Sequence, residues 1–218
     1  MKDIIGKCKI YIIESQSDND IFDGRTEGNA LSSGLKLAGI SNEYYQVINE
    51  KMLDKAILKI SENIKELVSN GKLIVPFIHF SAHGNESGIG LTNNDFIDWS
   101  KLRKKIDYAN SIIGKVKFDD SDNAREFSRL NLSFSVCKGI NAIKIQQGFE
   151  DNKYLQLVGP NVAVDWADSL IAFMTFYHLM FYKSEVITAF EIVEKMNIAA
   201  GLKDIFEISG GSGLVRRE

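Results

Sequence analysis

Apolar and polar positions alternate along this chain in blocks that predict a β/α succession. Residues 7–13 are rich in β-branched and aromatic side chains and read as a first strand, followed by a polar run over 14–20 that reads as a loop continuing to Gly28. A short helix is expected over 29–37 and a second strand over 43–48. Leu53, Ala56, Ile57, Ile60, Ile64, Leu67 and Val68 then recur at three- and four-residue steps, an amphipathic helix that Asn70-Gly71 ends. Residues 73–82 form a near-continuous apolar run, as expected of a strand covered on both faces. A helical pattern follows over 96–106, and 110–129, with the acidic cluster Asp119, Asp120 and Asp122, reads as an irregular exposed insertion. Further strands are expected over 130–136 and 155–164 and a last one over 205–208. Helices are expected over 141–149, over the almost wholly apolar 166–182, and over 185–197. The alternation predicts one α/β domain over 1–218, with a mostly parallel sheet of about six strands and helices on both faces.

Composition narrows the class without choosing a function. A net charge of −3 gives no reason to expect nucleic acid as a direct ligand. The first residues carry Lys2, Asp3, Lys7 and Lys9, unlike the apolar core of a secretory signal, and the longest uncharged run, 169–182, is too short to span a bilayer. A cytoplasmic protein without membrane association is therefore expected. The two cysteines, Cys8 and Cys137, form no spaced framework, which fits free thiols in a reducing compartment. Walker and Rossmann glycine motifs, metal-ligand spacings and the serine-hydrolase elbow are absent, so neither a cofactor nor a metal is expected.

Candidate chemistry lies at the ends of two strands. The run LIVPFIHFSAHGNESGIGL (73–91) ends its apolar part at His83, and LNLSFSVCKG (130–139) ends at Cys137, each just before a glycine turn. In open α/β sheets reactive groups gather beyond the carboxyl ends of the strands. A thiol there is a candidate nucleophile, and an imidazole on a neighbouring strand is a candidate general acid and base. The backbone N–H groups of Gly84 and Cys137 are the candidate oxyanion donors. Blander readings stand beside these. A histidine on an apolar strand is ordinarily a satisfied core residue, which is the reading for His79 and for His178 on the aromatic helix. Cys8 reads as a small core residue, and a free cysteine such as Cys137 is commonly buried.

HFSAHGN followed by GIGL and IDWSKL resembles the histidine region of the caspase-like cysteine peptidases (clan CD), most closely the bacterial CHAT domains. LNLSFSVCKG is similar to the strand that delivers their cysteine. His83 and Cys137 lie 54 residues apart, and the caspase pattern places its histidine ~50 residues upstream. VGPNVAVDWADSLIAFMTFYHLMF is similar to the CHAT strand that leads into an aromatic helix, so the resemblance spans roughly residues 7–210. It implies a caspase-hemoglobinase fold and a cysteine endopeptidase acting on a protein or peptide through Cys137 and His83. It further implies a bacterial defence or stress setting in which a sensor or regulatory protein triggers activity. Caspases carry Gln-Ala before the cysteine, where this chain has Ser135-Val136, so aspartate specificity is not implied. Related clostripain-like, gingipain-like and separase-like enzymes select basic residues with an acid after strand five. Asp165 and Asp168 both fit that place, although either could instead cap the following helix. An inactive caspase-like module that binds a partner, and a small-molecule-binding α/β domain, are the competing classes.

Overall fold

The structure, a computed structural model, describes residues 8–72, 74–117, 126–146, 152–182 and 187–210. Its centre is a six-stranded sheet built from β1 (Cys8–Ser15), β2 (Asn42–Gln46), β3 (Val75–Ala82), β9 (Asn131–Ser135), β10 (Gln156–Pro160) and β11 (Phe206–Gly210), in the order β11-β10-β9-β3-β1-β2. All neighbours run parallel except the edge strand β11, which is antiparallel to β10. A small three-stranded sheet of β4 (Gly84–Asn85), β5 (Gly88–Gly90) and β6 (Phe96–Asp98) grows from the end of β3. A two-stranded pair of β7 (Lys115–Lys117) and β8 (Glu126–Ser128) flanks residues 118–125.

Helices cover both faces of the central sheet. On one face, α3 (Glu50–Ser69), α4 (Trp99–Ile113) and a 3-10 helix (Gly139–Ile145) bury Leu53, Ile57, Ile60, Leu102 and Ile106 against Tyr11, Ile78, Phe80, Leu132 and Phe134. Phe80 and Phe134 stack across β3 and β9 at 5.0 Å between centroids, fixing the register of those strands from the apolar side. On the other face, α2 (Glu27–Leu37), α5 (Trp166–Tyr182) and α6 (Ala189–Ala199) pack Leu31, Phe173, Phe176, Tyr177 and Met196 against Ile10, Ile12, Phe77 and Val158. A one-turn helix, α1 (Asp18–Phe22), follows β1 directly.

The two-fold period of a strand divides β3 and β9 in the same way. Ile78, Phe80 and Ala82 face the α3/α4 layer, as do Leu132, Phe134 and Val136. The intervening His79, Ser81 and His83, and Ser133, Ser135 and Cys137, then fall on the α5 side. Strand β3 is indeed covered on both faces, but after Phe77 its second face carries His79 and Ser81, so the carboxyl-terminal half of the run alternates.

Several expected boundaries move. The 14–28 loop contains α1 and the start of α2, because Ser17 and Asp20 close a reciprocal capping box. Residues 96–98 form a strand before α4 begins, and α4 runs on to Ile113 because Ile106, Ala109, Asn110 and Ile113 continue its buried stripe. The segment 110–129 is therefore less irregular than expected, and Asn110 is bonded to the Lys153 carbonyl and the Ser128 hydroxyl. Its acidic cluster Asp119, Asp120 and Asp122 lies outside the described residues, as do parts of the segments 141–149 and 185–197. The 3-10 helix replaces the described part of the helix expected over 141–149, and α6 starts at Ala189 behind a Thr188–Glu191 capping box. Helix α5 has the expected bounds but is not apolar-packed all round: Ile171, His178 and Tyr182 lie on an exposed stripe. His178 is thus a surface residue against Tyr182, not a core one. Among the described residues no helix is long and apolar enough to cross a membrane.

Candidate functional site

Strand pairing sets the site. Ser81 on β3 stands opposite Ser135 on the adjacent parallel β9, so His83 and Cys137 are each two residues beyond the same rung. Neighbouring strands lie ~4.8 Å apart, and equal parity turns both side chains to the α5 face. The strand ends are held close by Gly84. A Cβ there would lie 2.3 Å from Val136 Cγ1 and 2.6 Å from the Gly88 carbonyl, so only glycine lets the turn after His83 press against the residue preceding Cys137.

His83 and Cys137 line one cavity of about 320 Å3, together with Asp20, Arg25, Asp165 and Trp166. The His83 side chain is 51% exposed. Its Nε2 faces Asp20 Oδ2 at 2.5 Å, and its ring meets Trp166 edge to face at 5.2 Å. With Nε2–H directed to the carboxylate, Nδ1 is the nitrogen left to accept a proton from the cavity. Cys137 is half-buried, and its thiol makes a long contact to the Val164 carbonyl at 3.9 Å. Cys8, by contrast, lies at the amino-terminal end of β1, opposite the end that reaches the cavity, and burial pushes its thiol up to about 11.

Asp20 is the residue of this candidate site that sequence reasoning missed. It is buried, and besides His83 it accepts from the Ser17 hydroxyl (2.5 Å), the Ser17 amide (3.2 Å) and Trp166 Nε1–H (3.2 Å), while Arg25 Nε lies 3.3 Å away. Burial alone would raise this carboxyl. The bonds from Ser17 and His83, the charge of His83 and the Trp166 donor outweigh it and bring Asp20 down to about 2. One carboxylate thus closes the capping box of α1 and orients the imidazole. The signal was present as Ser17-x-x-Asp20 directly after a strand. Using it required knowing that β1 lies beside β3, with Ser15 opposite Ala82.

Of the two candidate oxyanion donors, Cys137 lines the cavity and Gly84 does not. Gly84 pairs with Ile89, and the Gly90 amide donates to the His83 carbonyl, which makes Gly84–Ile89 a non-hydrogen-bonded pair whose amides point away from each other. The Cys137 amide has no acceptor among the described residues. It sits in a tight turn that the Gly139 amide closes onto the Val136 carbonyl at 2.8 Å. Lys138 completes that turn with φ +59°, a left-handed conformation that costs a non-glycine residue ~1 kcal/mol.

The two acids after β10 are separated by the structure. Strand β10 ends at Pro160, earlier than expected, and 161–165 becomes a loop that carries Val164 and Asp165 to the cavity. The Asp165 carbonyl accepts from the Ser169 amide as the first bond of α5, while its carboxylate is exposed and has no partner among the described residues. Asp168 lies in the first turn of α5 and does not line the cavity. Ser135 and Ser169 also line the cavity; both are 1% exposed, and their hydroxyls are buried and lack a hydrogen-bond partner among the described residues. Among the described residues no group of three or more His, Cys, Asp or Glu is placed to hold a metal.

Comparison with solved structures places this geometry in a known architecture. A secreted C11 cysteine protease from Bacteroides thetaiotaomicron, solved with an irreversible peptide inhibitor, matches with a TM-score of 0.53 over 95% of this chain and 67% of its own, at 9% identity. The fold is caspase-like. The structure of the RgpB pro- and mature domains from Porphyromonas gingivalis has a TM-score of 0.49 and 14% identity; this chain is covered over 99% of its length but spans only 49% of that one. No protein-family model and no curated protein matches the sequence. In this caspase-like sheet, His83 and Cys137 lie where strand ends meet loops, beside a cleft with one unpaired acid and two unpaired hydroxyls.

Proposed function

We propose that the protein is a cysteine endopeptidase. The observation that carries the reading is the equal placement of His83 and Cys137 at the ends of adjacent strands, facing one open cavity. The Cys137 thiol gives its proton to His83 Nδ1 and the thiolate attacks the scissile carbonyl. The amides of Gly84 and Cys137 stabilise the oxyanion. His83 then passes the proton to the leaving amine, and a water molecule, deprotonated by the same imidazole, hydrolyses the acyl-enzyme. Asp20 is a positioning residue that keeps His83 in the tautomer this sequence of transfers needs.

The residue preceding the cleaved bond is lysine or arginine. Arg25, the cation lining the cavity, is paired with Asp20 and with Asp23 at 2.5 Å, so the Asp165 carboxylate supplies an uncompensated negative charge. The likeness of HFSAHGN and LNLSFSVCKG to CHAT domains makes a cytoplasmic defence or stress peptidase the reading of its setting, with activation by a regulatory protein. A positional peptide library cleaved by the wild type and by Cys137→Ala tests the activity. Cleavage after Lys or Arg should vanish in Cys137→Ala. In Asp165→Asn the preference for basic over neutral residues should fall by about tenfold or more, the scale of a charge-assisted hydrogen bond. Indifference to the Asp165 change would remove the acidic-pocket assignment.

A further inference from the structure

Next to the cleft that holds Cys137 lies a second cavity of about 430 Å3. His83, Ser17 and Asn19 line both; Cys137 and Asp165 line only the first, and Asp18, Asp95 and Phe96 line only the second. The imidazole is thus a shared wall, with the nucleophile on one side and an unexplained space on the other. In amide cleavage by Cys137 the departing peptide takes its proton from His83, so its new amino terminus lies at the imidazole and its following residues must extend past it. From this, and resting on the amide-cleaving role proposed above, we infer that the second cavity binds the substrate residues on the carboxyl side of the scissile bond and favours a lysine or arginine there.

Two features select the cation. Asp18 and Asp95 contribute carboxylates, and neither lysine nor arginine lines the cavity. Lys101 does not line the cavity, but its ammonium, 3.8 Å from Glu50 and 3.5 Å from the Phe96 carbonyl, also attracts the Asp95 carboxylate. An interaction with the Asn93 side chain, a bond from the Glu50 amide and the charge of Lys101 hold the Asp95 carboxyl below its ordinary range, so it is charged at neutral pH. Phe96 is 40% exposed and provides an apolar wall for the methylene stem of a long basic side chain, with a ring face for its head group.

The groove is also braced in advance of binding. The Thr92 amide donates to the Ser15 hydroxyl at 3.0 Å, the Asn93 amide to the Ile48 carbonyl at 3.0 Å, and Asp95 accepts from the Glu50 amide at 3.1 Å. The 91–95 turn is therefore tied to the ends of both β1 and α3, and little ordering remains to be done when a peptide enters.

The test uses two kinds of substrate with the same basic residue before the cleaved bond: a coumarin amide, which has nothing beyond that bond, and internally quenched peptides carrying Lys, Ala or Glu at the first two positions after it. Lys peptides should be cleaved about three- to tenfold faster (kcat/KM) than Glu peptides, the scale of one or two partly exposed charge pairs. The ratio should approach one in Asp18→Asn/Asp95→Asn, shrink partway in the exposed single change Asp18→Asn, and diminish in the wild type as salt is raised. Cleavage of the coumarin amide with a Lys-to-Glu ratio near one, or with a ratio untouched by either variant, would overturn the groove while leaving the dyad intact. If the coumarin amide is not cleaved and an electrophilic peptide fails to label Cys137, both the groove and the dyad fall.

Discussion

His79 lies on β3 and His83 immediately beyond its end, both toward the same side of the sheet, and each has a carboxylate and an aromatic ring for neighbours. His79 is fully buried, with Nδ1 3.0 Å from the Tyr177 hydroxyl, Phe173 edge to face at 4.6 Å and Glu27 4.0 Å from Nε2. His83 has Asp20 and Trp166 in the corresponding places, yet half of its side chain meets solvent. The acid and the ring are therefore common to both histidines; access distinguishes them. Helix α5 closes over His79 with Phe173 and Tyr177, and at its first residue, Trp166, it leaves His83 open to the cavity.

Exchanging the roles of the two histidines is the strongest test of that contrast. His83→Ala should lower kcat by ~10²–10⁴-fold, the usual contribution of a positioned acid–base group, and change stability by less than about 1 kcal/mol. His79→Ala should do the reverse. It empties a fully buried site and strands the Tyr177 hydroxyl, costing about 2–4 kcal/mol in urea unfolding, while the folded fraction keeps its turnover. Equal losses of activity in both variants would erase the distinction.

Asp20→Asn sharpens the comparison from the carboxylate side. An amide retains the size of the group but presents His83 with the wrong donor and acceptor pattern. We expect kcat to fall about 10- to 100-fold with KM nearly constant, and the acid limb of the pH–rate profile to move. Asp20→Glu should restore part of the rate. A purely structural residue would change neither the profile nor the kcat–KM split.

The smallest effects are in the pH dependence of stability. Asp20 is held at about 2 against an ordinary 3.8. Its contribution, about 2 kcal/mol, is complete above the ordinary value and is lost as pH falls through about 2. Glu14 differs in sign: burial raises its carboxyl, only partly offset by the Tyr44 hydroxyl and the Gly28 and Asn29 amides. The fold therefore favours the protonated form of Glu14, and its contribution is complete at low pH and lost as pH rises through the raised value. Urea melts between pH 2 and pH 7 should show a shallower acid slope for Asp20→Asn and a gain at neutral pH for Glu14→Gln.

Much of the site was legible because β3 and β9 repeat one pattern, Ile78-His79-Phe80-Ser81-Ala82-His83 beside Leu132-Ser133-Phe134-Ser135-Val136-Cys137. Apolar residues alternate with polar ones, and the reactive side chain ends each series. The reading of the first run as near-continuously apolar passed over the alternation that turns His79, Ser81 and His83 to one side. Asp20 was hidden for a different reason. Its role depends on strand order, and nothing local says that the first strand lies beside the third. Ser135 and Ser169 gave no sequence signal because an unpaired hydroxyl is visible only once its surroundings are known. Helix α5 was placed correctly from its apolar content, but that content concealed the exposed stripe of Ile171, His178 and Tyr182.

The central claim is that Cys137 is a nucleophile activated by His83 across a shared cavity. It is tested most directly by mass spectrometry of the protein after incubation with a lysine- or arginine-terminated peptidyl acyloxymethyl ketone. One adduct on Cys137 is predicted, with Cys8 unmodified because its thiol is raised to about 11, and markedly slower modification in His83→Ala. Modification of Cys8 at a comparable rate, or Cys137 labelling that is indifferent to the loss of His83, would contradict the account.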